Sequence, residues 1–256
     1  RHLGLEPEVA APVDVAVVMR FLSPSQQHKV FDLLPDDESR AQTLSEADSN
    51  IRSTVLTDRP HEELLRLLKL MSADDQADLL AGLAEEVRQQ LIDALHPQAA
   101  AEVEELLHYG AETAGGIMSP DFFALPENTT AAEAIQALQS GHAELEMVFY
   151  IYVVNEFGHL MGVVSLRQLV VNPPLMTLSE MMATDVISVD VNADQEEVAK
   201  VAARYNFLAI PVVEDGNRLV GIVTIDDVID VIREEATEDI LKMAGAGDTV
   251  FQDPSV

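Results

Sequence analysis

The 256-residue chain has no cysteine and no tryptophan. Without cysteine there are no disulfides, thiolate metal sites or cysteine nucleophiles, which fits a reducing compartment. Positive charge is also scarce: 15 Lys and Arg stand against 45 Asp and Glu, for a formal charge of −30. A field of that sign repels phosphate polyanions and anionic headgroups, so nucleic acid is excluded as a main partner, and small cations are the partners it attracts. No apolar run approaches the ~18–20 residues that span a bilayer, and the opening Arg1-His2-Leu3-Gly4 is not the charged and then apolar start of a secretory signal. The seven histidines form no HExxH or paired spacing, and no Ser, His and Asp arrangement stands out. Catalysis has no visible carrier, and the chain reads as a non-enzyme.

Apolar residues make up 48% of the chain, enough for a large core, and the length suggests about two domains. Residues 13 to about 108 show no strand alternation. Leu64, Leu65, Leu67, Leu68 and Met71 recur at helical spacing, as do Leu79, Leu80, Leu83 and Val87. Ser23-Pro24, Pro35-Asp36, Ser72-Ala73 and His96-Pro97 each follow an apolar pair, where one helix stops and the next is capped. Short, similar, end-to-end helices of this kind predict a small superhelix or an irregular array.

At Gly115-Gly116 the pattern changes to an internal repeat. Met118-Ser-Pro-Asp-Phe-Phe-Ala-Leu aligns with Met182-Ala-Thr-Asp-Val-Ile-Ser-Val at an offset of 64 residues, which places Asn128 on Asn192 as candidate helix N-caps. Further on, Tyr152–Ser165 aligns with Pro211–Thr224 at an offset of 59 residues. Each copy reads as strand, helix, strand, turn, strand, helix. The apolar runs 147–154 and 210–213 are expected to be buried strands, with turns at Glu156-Phe-Gly158 and Glu214-Asp-Gly216. Gly245-Ala-Gly247 reads as a helix stop. The missing initiator Met and the ending just after a short amphipathic segment suggest an excised part of a longer protein.

Gly162-Val-Val-Ser-Leu-Arg-Gln-Leu and Gly221-Ile-Val-Thr-Ile-Asp-Asp-Val, ending the two copies, resemble a tandem pair of CBS domains. With Thr113-Ala-Gly-Gly-Ile-Met-Ser-Pro, Asp194-Gln-Glu-Glu-Val-Ala and Glu234-Glu-Ala-Thr-Glu-Asp-Ile, the likeness narrows to the cytosolic region of MgtE-type magnesium transporters. The resemblance implies a helical N-terminal domain over 1–112, CBS domains over 113–176 and 177–236, and a connecting, plug-like helix and tail over 237–256. It also implies a place at the cytoplasmic face of a membrane, a homodimer through the CBS domains, and a transmembrane pore in the full-length protein as partner.

Glu235, Glu238 and Asp239 lie at i, i+3 and i+4, so a helix puts three carboxylates on one face. The residues alone leave open a solvated acidic face. The resemblance adds Asp194 and Asp227 and makes all five regulatory Mg²⁺ ligands, in keeping with a hard cation that keeps its own waters. Asp74, Asp75 and Asp78 form a second acidic cluster that reads equally as first-turn capping; the resemblance selects Asp75 as a ligand. Asn206 stands where the family can carry an acidic ligand. For ATP or another adenine nucleotide the resemblance points to Thr224 and Asp227 in the second copy and to Tyr150 and Arg167 in the first. There Gln168 replaces the ribose-binding acid, so at most one good nucleotide site is expected. The reading is a Mg²⁺ sensor that closes on cation binding and gates a pore; a freestanding adenine-nucleotide sensor is the alternative.

Overall fold

The computed structural model describes residues 10–141 and 148–250, without the side chains of 141, 234, 237–239, 241 and 243–250. The chain forms two compact units, Arg1–His108 and Tyr109–Val256.

The first unit holds eight short helices: α1 (Pro12–Met19), α2 (Pro24–Asp32), α3 (Asp37–Ser45), α4 (Ser49–Leu56), α5 (His61–Leu68), α6 (Ala73–Ala81), α7 (Glu85–Asp93) and α8 (Pro97–Leu106). Helices of eight to ten residues are marginal alone, so local starts and packing must hold them. The starts are those read from sequence. Ser23 and Gln26 form a capping box ahead of Pro24, and Asp36 Oδ1 accepts from the Ser39 N–H at 2.7 Å. Pro97, which has no N–H to satisfy, opens α8. Packing runs two helices ahead, α1 on α3, α2 on α4, α3 on α5, α5 on α7 and α6 on α8, which winds the unit into the expected superhelix. Met19, Phe31, Leu44, Leu67, Leu68 and Leu80 fill its core.

The second unit is the repeat. Copy 1 consists of β1 (Ala124–Pro126), α9 (Ala131–Gly141), β2 (Tyr150–Val154), β3 (Leu160–Ser165) and α10 (Leu166–Val171). After the one-turn α11 (Leu178–Met181), copy 2 follows with β4 (Val189–Asp190), α12 (Gln195–Tyr205), β5 (Ala209–Glu214), β6 (Arg218–Thr224) and α13 (Ile225–Val250). Each sheet has three strands, the first parallel to the second and the second antiparallel to the third. Both hairpins shift register at repeat-equivalent places, Val153/Val154 and Val212/Val213. Ile151 and Val153 face a core with Phe123, Ala134, Val164 and Leu169, while Tyr152, on the opposite face of the strand, joins Leu160, Ala209, Leu219 and Ile222 between the copies.

The copies are interlocked. The segment leading into copy 1 bonds to copy 2, Ser119 N–H to Ile222 O at 2.8 Å and the reverse at 2.9 Å; the segment leading into copy 2 bonds likewise to copy 1, Val163 with Ala183 at 3.0 Å both ways. A Cβ on Gly221 would fall 2.6 Å from Met118 Sδ, and one on Gly162 would fall 2.5 Å from Met182 Sδ. Glycine at these positions lets strand and methionine approach that closely.

Two local expectations are corrected. Asn128 and Asn192 are not the caps: Thr130 and Glu133 bond reciprocally ahead of α9, and Asp194 Oδ1 accepts from the Glu196 N–H at 2.9 Å ahead of α12. Both pairs are polar residues two apart, and packing of the helix fixes which one caps. Gly245-Ala-Gly247 does not stop a helix, because α13 runs unbroken from Ile225 to Val250. Glycine adopts right-handed helical angles at a cost of about 1 kcal/mol, which a long helix absorbs.

Candidate functional site

The acidic residues singled out by sequence fall into three settings. In the first turn of α6, Asp75 Oδ2 accepts from the Ser72 hydroxyl at 3.0 Å, and in the next turn Arg52 reaches Asp78 at 3.2 Å. Asp74 is the unusual member. Its Oδ1 is enclosed without a hydrogen-bond partner, and burial pushes its carboxyl up to about 6, against the pull of the Ser72 hydroxyl and with a push from the Asp75 charge. Nothing in the run of three acids marked Asp74 as the enclosed one.

The second setting is the contact between the start of α12 and α13. Gln195, only 8% exposed, donates from Nε2 to Glu235 Oε1 at 2.9 Å. Glu196 lies beside Glu235, while Lys200 donates to Glu196 at 2.6 Å and holds that carboxyl below the usual range. Asp194, next in the chain to Gln195, caps α12. The structure thus brings Glu235 together with Gln195 and Glu196, neither of which was singled out, beside Asp194. Glu238 and Asp239 follow on α13, but their side chains lie outside the described residues. Asn206, at the other end of α12, takes the left-handed C-cap conformation at φ 55°, a backbone role that suits asparagine. Among the described residues no three His, Asp or Glu converge on one point as a ready-made metal cage.

The third setting comprises the ends of the third strands. Thr224 donates to Asp227 Oδ2 from its hydroxyl and, at 3.2 Å, from its N–H, as a cap of α13. Ser165 and Gln168 repeat that arrangement ahead of α10, and Gln168 Nε2 also donates to Met181 O at 2.9 Å. The Gln168 carbonyl oxygen is therefore already an acceptor twice over, and its amide adds only donors where a ribose diol needs an acceptor. Tyr150 pairs in register with Ser165, and Arg167 is exposed one turn away; Ala209 takes the place of Tyr150 in copy 2. The groups suited to a nucleotide are split, aromatic and cation in copy 1 and carboxylate in copy 2.

Comparison with known proteins matches residues 10–112 to the MgtE intracellular N domain and residues 114–172 and 178–234 to CBS domains. The magnesium transporter MgtE of Thermus thermophilus is 40% identical over 235 residues, covering 91% of this chain and 52% of that protein. The Bacillus subtilis magnesium transporter MgtE is 35% identical over 242 residues, covering 94% and 53%. The chain thus spans about half the length of these curated relatives. Among solved structures, the cytosolic domain of the Mg²⁺ channel MgtE in complex with ATP is similar with a TM-score of 0.78 and 39% identity, covering 88% of this chain and 91% of that one. The soluble part of a magnesium transporter follows with a TM-score of 0.72 and 32% identity, covering 88% and 93%. Among the described residues no helix is long and apolar enough to cross a membrane.

Proposed function

The chain belongs to the MgtE family of magnesium transporters and corresponds to its cytosolic domain, and from that premise we propose that it senses Mg²⁺ and gates a pore. The pore is a membrane domain of the same protein, and this part lies at the cytoplasmic face and performs no catalysis. Mg²⁺ is the ligand sensed, taken by Asp75, Asp194, Asp227, Glu235, Glu238 and Asp239. The observation that supports this most is the meeting of α12 and α13, where Gln195 holds Glu235 beside Glu196 and Asp194 in a chain of formal charge −30. Carboxylates so close repel; Lys200 offsets part of that at Glu196, and a divalent cation among them would offset the rest. A hard cation that keeps part of its water shell suits oxygen ligands drawn from different elements.

The mechanism is electrostatic. Without divalent cation the acidic surfaces repel and the protein opens; with cation bound it closes, and α13 carries the change onward. Moving a two-state equilibrium from 1:99 to 99:1 takes about 5.5 kcal/mol of differential binding, which several weak sites supply together. An adenine nucleotide is the proposed second ligand, because a relative of 39% identity bound ATP. Its site is weakened here by Gln168.

Small-angle scattering tests the reading. Raising Mg²⁺ from zero to ~10 mM should reduce the radius of gyration, whereas NaCl of matched ionic strength, which acts only by screening, should not. The triple variant Glu235→Ala, Glu238→Ala, Asp239→Ala should lose most of the response. Equal compaction by NaCl, or a triple variant that responds like the parent, would reject specific sites on α13.

A further inference from the structure

The two copies show what was added where the last helix was prolonged. In copy 1 the first residue of α9, Ala131, donates its N–H to Met176 O at 2.9 Å, and in copy 2 the equivalent first residue of α12, Gln195, donates its N–H to Glu112 O at 3.0 Å. The backbone contact is thus the same, since Met176 and Glu112 are also repeat equivalents. Ala131 has no side chain to extend it. Gln195 has one, and its amide reaches Glu235 at 2.9 Å on α13, well past the point where the equivalent helix α10 has ended.

Glu112 belongs to the strap that carries the chain from the first unit into the second. That strap is bound to copy 2 at several points: Ala114 N–H to Ala193 O at 2.7 Å, Gly115 N–H to Val191 O at 2.8 Å, and a bridge between Thr113 and Asp194. It has no slack. A Cβ on Gly115 would fall 2.6 Å from Val191 and 2.7 Å from the Tyr109 ring, and one on Gly116 would overlap Gly110 O. A shift of the strap must therefore move the start of α12.

We infer that Gln195 is a strut that couples this strap to α13, holding Glu112 through its main chain and Glu235 through its side chain. A buried amide suits the position for a physical reason. It donates to a carboxylate without adding to the negative charge already present from Glu196 and Glu235, and its burial keeps water from competing for the bond. The strut is independent of any metal. It goes beyond the proposed gating by naming the residue through which displacement of the strap would reach the long helix.

Hydrogen exchange on the whole chain in excess EDTA tests this apart from cation binding. Gln195→Ala retains the backbone bond to Glu112 and should still raise exchange about five- to tenfold both in residues 112–116 and in residues 228–238, the change expected for loss of one net hydrogen bond shared by both. Gln195→Glu, which sets a third carboxylate against Glu196 and Glu235, should raise both at least as much. The swap of Gln195→Glu with Glu235→Gln restores an amide-to-carboxylate bond with donor and acceptor exchanged, and should return both segments to within about twofold of the parent. If Gln195→Ala loosens α13 and leaves 112–116 unchanged, or if the swap leaves both segments as loose as Gln195→Glu alone, the strut is rejected and Gln195 acts only within α12. The swap and Gln195→Glu together keep the test decisive should the alanine variant fail to fold.

Discussion

Asp74 shows how much one side chain changes when its surroundings do. An aspartate normally titrates near 3.8, and burial raises this one to about 6. The folded state therefore binds a proton that the unfolded state releases, so ionised Asp74 costs stability above pH 6. The cost fades as pH falls through 6 and is gone below about 4, where both states are protonated. Asp74→Asn removes the buried charge. In EDTA it should be more stable than the parent by about 1–2 kcal/mol at pH 8, and the difference between the two should shrink by pH 5. Urea denaturation of both proteins at the two pH values measures this, and a variant less stable than the parent at pH 8 would contradict it. The sequence shows three acids at a helix start and the family resemblance selects Asp75, but the accessibility of each depends on packing that the run itself does not encode. Gln195 was passed over for a similar reason: a glutamine in a first helical turn is ordinary until the partner that covers it is known.

At the scale of elements, local chemistry was legible and its tertiary consequences were not. Helix starts at Ser23-Pro24, Asp36 and His96-Pro97 are written in capping groups a few residues apart, and they stand where expected. The extension of α13 through Gly245 and Gly247 was not legible, because a weak local preference for stopping yields to a helix already propagating. Between α4 and α5 a single loop residue ties four features together. Arg59 donates from Nε to Val55 O at 2.6 Å, from Nη1 to Glu63 at 2.6 Å and from Nη2 to Asp32 at 2.7 Å, with its guanidinium 4.7 Å above the Phe31 ring. Its side chain is only 12% exposed, so these bonds are screened far less than surface pairs. Lysine offers one ammonium in place of this planar fork and cannot reach three acceptors at once. Arg59→Lys should therefore cost about 2 kcal/mol and Arg59→Ala about 3, the latter also leaving Glu63 and Asp32 unpaired. Denaturant midpoints at constant slope read both. A lysine variant as stable as the parent would mean that the charge alone matters and the fork does not.

For the molecule as a whole, the repeat was visible as two aligned motifs, but their crosswise docking was not. An offset in sequence says that Met118 and Met182 are equivalent; it does not say that each packs on the glycine of the opposite copy. That pairing comes from how the sheets close on one another. The same internal symmetry leaves an uncovered apolar position twice in one chain: Val170 is 77% exposed, and its repeat equivalent Ile229 is 42% exposed. Ile232 follows one turn later on α13, and Leu175 lies just beyond α10, both exposed as well. Apolar side chains at matching places in both halves suit a partner whose surface carries the same pseudo-two-fold pattern, and a second copy of this chain supplies it. A two-fold contact of this kind is self-complementary and closes, so it yields dimers and no larger assembly. We expect a homodimer at roughly 50 μM, with or without Mg²⁺, because apolar burial needs no cation. The pair Val170→Asp and Ile229→Asp should shift sedimentation to the monomer while leaving the far-ultraviolet circular dichroism unchanged, since both side chains are exposed and their helices are held by other residues. A parent that sediments as a monomer at that concentration, or a doubly substituted protein that stays dimeric, would move the contact away from this face.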